Sequence, residues 1–151
     1  MNLLERGDQV ATVLERFAQL DRSGHLVLIS GEPGAGKSAL VRELLDHHLG
    51  SAQVMVGRCD DLFAPRPFGP LADIARDRPG PLADALAAGD QGAVFEAFLA
   101  EVAAPGQPTV VVLEDLQWAD EATVDLLRFV ARRLADLPCL ILATHRDDLP
   151  A

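Results

Sequence analysis

The chain has 151 residues, 49% hydrophobic and 24% charged, with thirteen Lys+Arg against twenty-three Asp+Glu and a net charge of −10. This is the length of one domain, residues 1–151, with enough chain to bury a core, and no stretch approaches the ~20 apolar residues that span a bilayer. The acidity argues against a nucleic-acid-binding face, since phosphate contacts need basic surface; the N-terminus has no apolar run of signal-peptide type, so the expected compartment is cytoplasmic.

An amphipathic helix is predicted over Asp8 to Leu20, with Val10, Val13, Leu14 and Phe17 on one face. Asp21-Arg22-Ser23-Gly24 then turns the chain. His25 to Ser30 is a short apolar run of strand type. It leads into Gly31-Glu32-Pro33-Gly34-Ala35-Gly36-Lys37-Ser38, which fits the phosphate-binding pattern G-x-x-x-x-G-K-[ST]. Lys37 is the only lysine of the chain; the other twelve basic residues are arginine. A compact ammonium suits a loop wrapped tightly around phosphate, where the planar fork of arginine does not replace it. Gly31, Gly34 and Gly36 let the backbone approach the phosphates. The N–H groups of this run, through Ala39 at the start of the next helix, form an anion nest. The Ser38 hydroxyl is the expected Mg²⁺ ligand. Leu40, Val41, Leu44 and Leu45 then recur at helical spacing up to a stop at Gly50, and His47 and His48 in the last turn suit the negative end of the helix dipole rather than a metal.

Gln53 to Arg58 reads as a second strand, with Arg58 facing the site, a partner or plain solvent. Cys59 to Gly69 is loop. Three short helices follow, Pro70–Arg76, Pro81–Ala88 and Ala93–Ala103, the last with Val94, Phe95, Phe98, Leu99 and Val102 on one side. Thr109 to Leu113 is an unalternating apolar strand, as expected of one buried on both faces. It ends in Glu114 and Asp115, the pattern of a Walker B strand: Mg²⁺ needs a carboxylate near the phosphates, and a second acid can orient the attacking water. Position favours Glu114 for the metal and Asp115 for the water, with the exchange of the two left open. Asp120 caps a helix predicted to run through Ala135, with Val124, Leu127, Ala131 and Leu134 facing the core; Trp118 before it reads as a packing anchor. Cys139 to Ala143 is a fourth strand. At its end Arg146, with Thr144 second, is the candidate to reach a γ-phosphate; the alternative is a solvated arginine paired with Asp147 or Asp148. Cys59 and Cys139 have no metal-type spacing and read as reduced, half-buried residues.

Strands alternating with helices imply an α/β fold with a mainly parallel sheet and right-handed crossovers. Ligand belongs at the carboxyl ends of such strands. The polar clusters after strands one, three and four all fall there.

Four stretches, Leu26–Leu45 (LVLISGEPGAGKSALVRELL), Gly57–Ile74 (GRCDDLFAPRPFGPLADI), Val110–Leu134 (VVVLEDLQWADEATVDLLRFVARRL) and Leu140–Asp147 (LILATHRD), carry a resemblance. They resemble the nucleotide-binding domain of STAND-type P-loop ATPases, close to the Orc-like AAA ATPase segment of large LuxR-type (MalT-like) bacterial regulators. LEDLQWAD is the most specific piece. The resemblance implies the three-layer P-loop NTPase fold of the additional-strand class, with strand four between strands one and three. It also implies ATP and ADP as ligands, Mg²⁺ as cofactor, and a switch with slow hydrolysis in transcriptional control. Arg146 matches the family's strand-four sensor arginine. Leu4–Val10 matches a region near the adenine, but Leu4-Glu5-Arg6-Gly7 departs from the usual G-R-E pattern. The family continues with a fifth strand, a lid and further domains that this sequence lacks. The expectation is therefore a fold incomplete at the C-terminus, an open edge on strand one, a wet site and weak turnover.

The leading reading is an ATP/Mg²⁺-binding switch module with weak ATP hydrolysis, Lys37, Glu114, Asp115 and Arg146 doing the chemistry, joined to a protein partner or to further domains of a longer regulator. A nucleotide-binding, non-hydrolysing interaction module is the second. A small-molecule kinase is disfavoured, because no arginine-bearing lid follows strand four.

Overall fold

The computed structural model describes residues 3–31, 36–62, 66–104 and 106–146. In chain order these form α1 (Leu3–Ala18), β1 (His25–Gly31), α2 (Lys37–His47), β2 (Gln53–Arg58), α3 (Gly69–Ala75), α4 (Pro81–Ala88) and α5 (Gln91–Val102). Then come β3 (Thr109–Glu114), a 3-10 turn at Leu116–Trp118, α6 (Glu121–Ala131), a second 3-10 turn at Leu134–Asp136 and β4 (Cys139–Arg146). No helix among the described residues is long and apolar enough to cross a membrane.

The sheet is parallel throughout, in the order β1-β4-β3-β2. The expected insertion of strand four between strands one and three is present. Its physical origin lies in burial. Thr109 to Leu113 of β3 and Cys139 to Thr144 of β4 are buried without alternation, so each strand needs a neighbour on both sides and a helix layer on both faces.

One face carries Val110, Val112, Leu140, Leu142 and Ile29 against Leu40, Val41 and Leu44 of α2 and Val13 of α1. The other carries Met55, Val111, Leu113, Ile141 and Ala143 against α3, α4, α5 and α6. An aromatic row joins the layer on that second face. Phe68 meets Phe95 edge-on with ring centroids 6.2 Å apart, and Phe95 lies 5.0 Å from Phe129. β1 and β2 are the edges of the described sheet, and they leave Leu26, Leu28, Val54 and Val56 exposed.

Four helices differ from the sequence reading, α3 by only one residue at each end (Gly69–Ala75 against Pro70–Arg76). α1 begins at Leu3, not Asp8. α5 begins at Gln91, because Asp90 takes the N-cap and accepts a hydrogen bond from the Ala93 N–H at 3.1 Å. α6 stops at Ala131 rather than Ala135, and its buried face is Thr123, Leu126 and Val130, one residue out of phase with Val124, Leu127 and Ala131. The phase is set at the cap. The Asp120 carboxylate accepts from the Thr123 N–H (3.0 Å) and the Thr123 hydroxyl (2.6 Å), which turns Thr123 inward with its polar atoms satisfied. The helix ends where Arg133 folds back: its guanidinium sits 3.8 Å from the Phe129 ring centroid and donates to the Phe129 carbonyl. Leu134 then enters the core from the following turn, and its carbonyl accepts from the Gly24 N–H.

Two close approaches carry testable consequences. Gly57 of β2 lies under the start of α3, where an added Cβ would collide with the Pro70 carbonyl. Gly57→Ala is expected to lower stability by about 1–3 kcal/mol through forced backbone displacement, whereas Gly50→Ala, with nothing near it, is expected to leave the urea midpoint unchanged. Asp120 also accepts from the Phe68 N–H at 2.9 Å, which holds Phe68 in a left-handed conformation (φ 57°). Burial pushes this carboxyl's pKa up, but the hydrogen bonds from Thr123 and Phe68 outweigh it, and the net shift is below the ordinary 3.8. The stabilisation is therefore complete above pH 3.8 and lost as pH falls through the lower folded value. Asp120→Ala is expected to cost about 1–2 kcal/mol in urea denaturation at pH 7, with a smaller difference from the parent at pH 2.

Candidate functional site

The strands' carboxyl ends gather the polar residues singled out in the sequence. Gly31 ends β1 and stands in register with Arg146, the last residue of β4. Gly36 takes the N-cap of α2 with φ 86°, the left-handed conformation glycine tolerates. Lys37, Ser38 and Ala39 form the first turn behind it. The Lys37 ammonium donates to the Gly31 carbonyl at 2.8 Å, so it bridges back over the loop to the end of β1. Glu32, Pro33, Gly34 and Ala35 lie outside the described residues.

Glu114 ends β3, and with Ser38 it lines a cleft of about 190 Å³ between α2 and β2. Arg42, Asp46 and Arg58 complete its polar wall. A serine hydroxyl and a carboxylate are hard oxygen donors of the kind Mg²⁺ takes, so the residues present fit that ion, with the rest of its shell left to phosphate oxygens and water.

Asp115 follows in a left-handed conformation, φ 59° and ψ 51°, which aspartate adopts more readily than most side chains. Its N–H donates to the buried Thr144 hydroxyl of β4 at 2.9 Å. Thr144 is 3% exposed, and its hydroxyl accepts from this backbone, so it anchors Asp115. Gln117, given no role in the sequence reading, accepts from the Arg146 N–H at 3.0 Å and so ties the segment after Asp115 to the end of β4.

Arg58 resolves toward the site. It is in register with Glu114, and its guanidinium reaches both acids: Nη2 lies 3.4 Å from Glu114 Oε2, and Nε lies 3.7 Å from Asp115 Oδ2. Its backbone N–H donates to Asp73 of α3 at 3.0 Å. Two adjacent carboxylates thus share one internal cation. With 55% of the Arg58 side chain exposed, the contact is screened and exchangeable. His145 is half-buried at the end of β4, and His47 and His48 are exposed. Residues 4–10 lie within α1.

Residues 2–142 match the AAA ATPase domain family. Among solved structures, Cdc6p from Pyrobaculum aerophilum has a TM-score of 0.59 at 16% identity, covering 97% of this chain and 40% of that one. PCH-2 of C. elegans has a TM-score of 0.59 at 16% identity, covering 99% and 38%. The RuvB Holliday junction branch migration motor of Thermotoga maritima has a TM-score of 0.51 at 15% identity, covering 97% and 39%. At these identities the likeness is one of fold, and the chain spans about two fifths of the length of each of these proteins. No curated protein matches the sequence.

Both cysteines lie buried and free near this end or inside the sheet. Burial pushes the Cys59 thiol up to about 12, with the charges of Asp120, Asp115, Asp60 and Asp73 adding to it, and burial alone raises Cys139 to about 12. The neutral thiols' contribution to stability is complete below the ordinary value of 9.0 and lost as pH rises toward 12. At pH 8 neither thiol of the folded chain is expected to react with a disulfide reagent on the timescale of an exposed cysteine, and both react once urea unfolds it. A fast-reacting thiol in the folded chain would contradict this burial.

Proposed function

The chain belongs to the AAA ATPase domain family, and from that premise we propose that it is an ATP/Mg²⁺-binding switch module with weak hydrolysis, part of a larger signalling or transcriptional regulator of the cytoplasm. The observation that carries this reading is the cleft shared by Ser38 and Glu114. Ser38 and Glu114 both line it, and Lys37 lies in the same helical turn as Ser38.

In this reading the run from Gly31 to Ala39, through Glu32, Pro33, Gly34 and Ala35, wraps the phosphates, and every residue of it except Pro33 has an N–H group to offer them. Lys37 exchanges its bond to Gly31 for the β- and γ-phosphates. Ser38 and Glu114 hold Mg²⁺, partly through water, and the ion would supply charge neutralisation on the phosphates. Asp115, locked at its backbone by Thr144, orients the attacking water. Arg146 supplies positive charge from the end of β4, with its backbone placed by Gln117. The STAND and LuxR-type context rests on the sequence resemblance, as does a protein partner or attached domain that couples nucleotide state to output.

A second reading, nucleotide binding without hydrolysis, has its own supporting observation. Arg58 holds both Glu114 and Asp115, and an arginine that stays in place would keep the water-activating carboxylate occupied.

Calorimetric titration of ATP·Mg²⁺ tests the binding step. Lys37→Ala is expected to weaken affinity at least tenfold, because it removes the only lysine the loop offers; unchanged affinity would sink the nucleotide reading. Turnover separates the two versions. If the chain hydrolyses ATP, Asp115→Asn should lower kcat by about 10²-fold, within the usual range for loss of a general base, and Glu114→Gln should lower kcat by weakening the hold on Mg²⁺, while ATP binding persists in both. A parent protein that binds ATP with no turnover above solvent background would favour the second version.

A further inference from the structure

A cavity of about 810 Å³ opens where α4, α5 and the start of α6 meet, away from the Ser38–Glu114 cleft and sharing no lining residue with it. Its volume lies in the range of about 300–1,000 Å³ typical of ligand sites. Its floor is apolar: Phe68 and Val94 are buried, and Leu86 is half-buried beside them. Asp120 holds the Phe68 N–H, and Phe95 packs against its ring edge-on.

The wall is acidic on one side. Asp120, Glu121 and Asp125 line it from the first turns of α6, and no arginine or lysine is among the described lining residues. Asp120 is spent on Phe68 and Thr123. Asp125 meets Arg128 at 3.6 Å, but the two side chains are 42% and 74% exposed, so the pair is screened. Glu121 forms no ion pair with the described residues. Carboxylates at the lip of a concave apolar surface focus negative potential into it.

We propose that this groove is a docking site for a partner protein, and that it receives a short segment in which an arginine or lysine stands next to a large apolar side chain. The apolar residue fills the floor over Phe68 and Val94; the cation lies along Glu121 and Asp125. Charge complementarity selects a protein rather than a free amine. The chain carries a net charge of −10, a field that steers a basic polypeptide over its whole surface and adds little for a single cation. The proposal does not rest on the nucleotide reading, and loss of ATP binding would leave it intact.

The test is an amide chemical-shift titration of the full chain with acetyl-Leu-Arg-Phe-Arg-amide. The same peptide with citrulline for arginine keeps the shape and removes the charge, and acetyl-arginine-amide serves as the small cation. Shifts are expected to cluster at Gly89, Gln91, Glu121 and Ala122. Affinity is expected to fall at least fivefold with the citrulline peptide, and equally in the Glu121→Gln/Asp125→Asn double variant. Should the double variant fail to fold, Glu121→Gln, at an exposed position, carries the comparison. The proposal is overturned by shifts centred elsewhere, by no binding at millimolar peptide, by equal affinity for the citrulline peptide, or by acetyl-arginine-amide binding as tightly as the peptide.

Discussion

Two strands that are apolar on both faces cannot sit at the edge of a sheet. β3 and β4 are such strands, buried from Thr109 to Leu113 and from Cys139 to Thr144. Each must pair on both sides and be covered on both faces, which makes β1 and β2 the outer strands and forces helices into layers above and below. The same burial admits only Thr109 and Thr144 among polar side chains and leaves charged ones no place except past the last buried rung. Glu114, Asp115, His145 and Arg146 therefore emerge together at one end of the sheet, beside the loop that leaves β1. The core and the candidate site follow from one constraint.

The acids at that end are held by backbone as much as by charge. Asp115 takes a left-handed conformation that costs on the order of 1–3 kcal/mol for a non-glycine residue, and the Thr144 hydroxyl stabilises it by accepting its N–H. Gln117 repeats the device one turn later, accepting from Arg146. These two hydrogen bonds cross-link the β3 exit to the end of β4. Arg58, from the far side, neutralises the repulsion between adjacent carboxylates while it remains exposed enough to leave. Arg58 is thus an exposed cation on acids whose backbone is hydrogen-bonded to β4.

Asp120 does for the opposite flank what Thr144 does for the acids. One carboxylate starts α6, turns Thr123 inward and holds Phe68, and through Phe68 the aromatic row reaches α5 and α6. The acidic groove lies on this flank, so a segment docked there would press on the residue that sets the start of α6. α6 begins shortly after the segment that carries Asp115 and Gln117.

Local patterns were legible wherever a few neighbouring residues decide the outcome. The P-loop run, the apolar strands with their terminal acids, the cap at Asp120 and the short helices between β2 and β3 all belong to this kind. α6 shows where local pattern fails. Val124 and Leu127 make as good a helical stripe as Leu126 and Val130, and only the hydrogen bonds of Asp120 and the shape of the sheet select between them. The strand order was likewise not written in periodicity; it entered through resemblance to a family.

By itself, then, the sequence determined the fold class, the identity of the phosphate loop and the acids expected to face it, because short-range sterics and charge dictate these. Only the tertiary structure decided that Arg58 meets Glu114 across 56 residues of chain, that the Thr144 hydroxyl anchors the Asp115 backbone, and that three helices line an acidic groove. Those contacts depend on the register of parallel strands, and that register is set by helix layers packing on both faces of the sheet, which no stretch of neighbouring residues encodes.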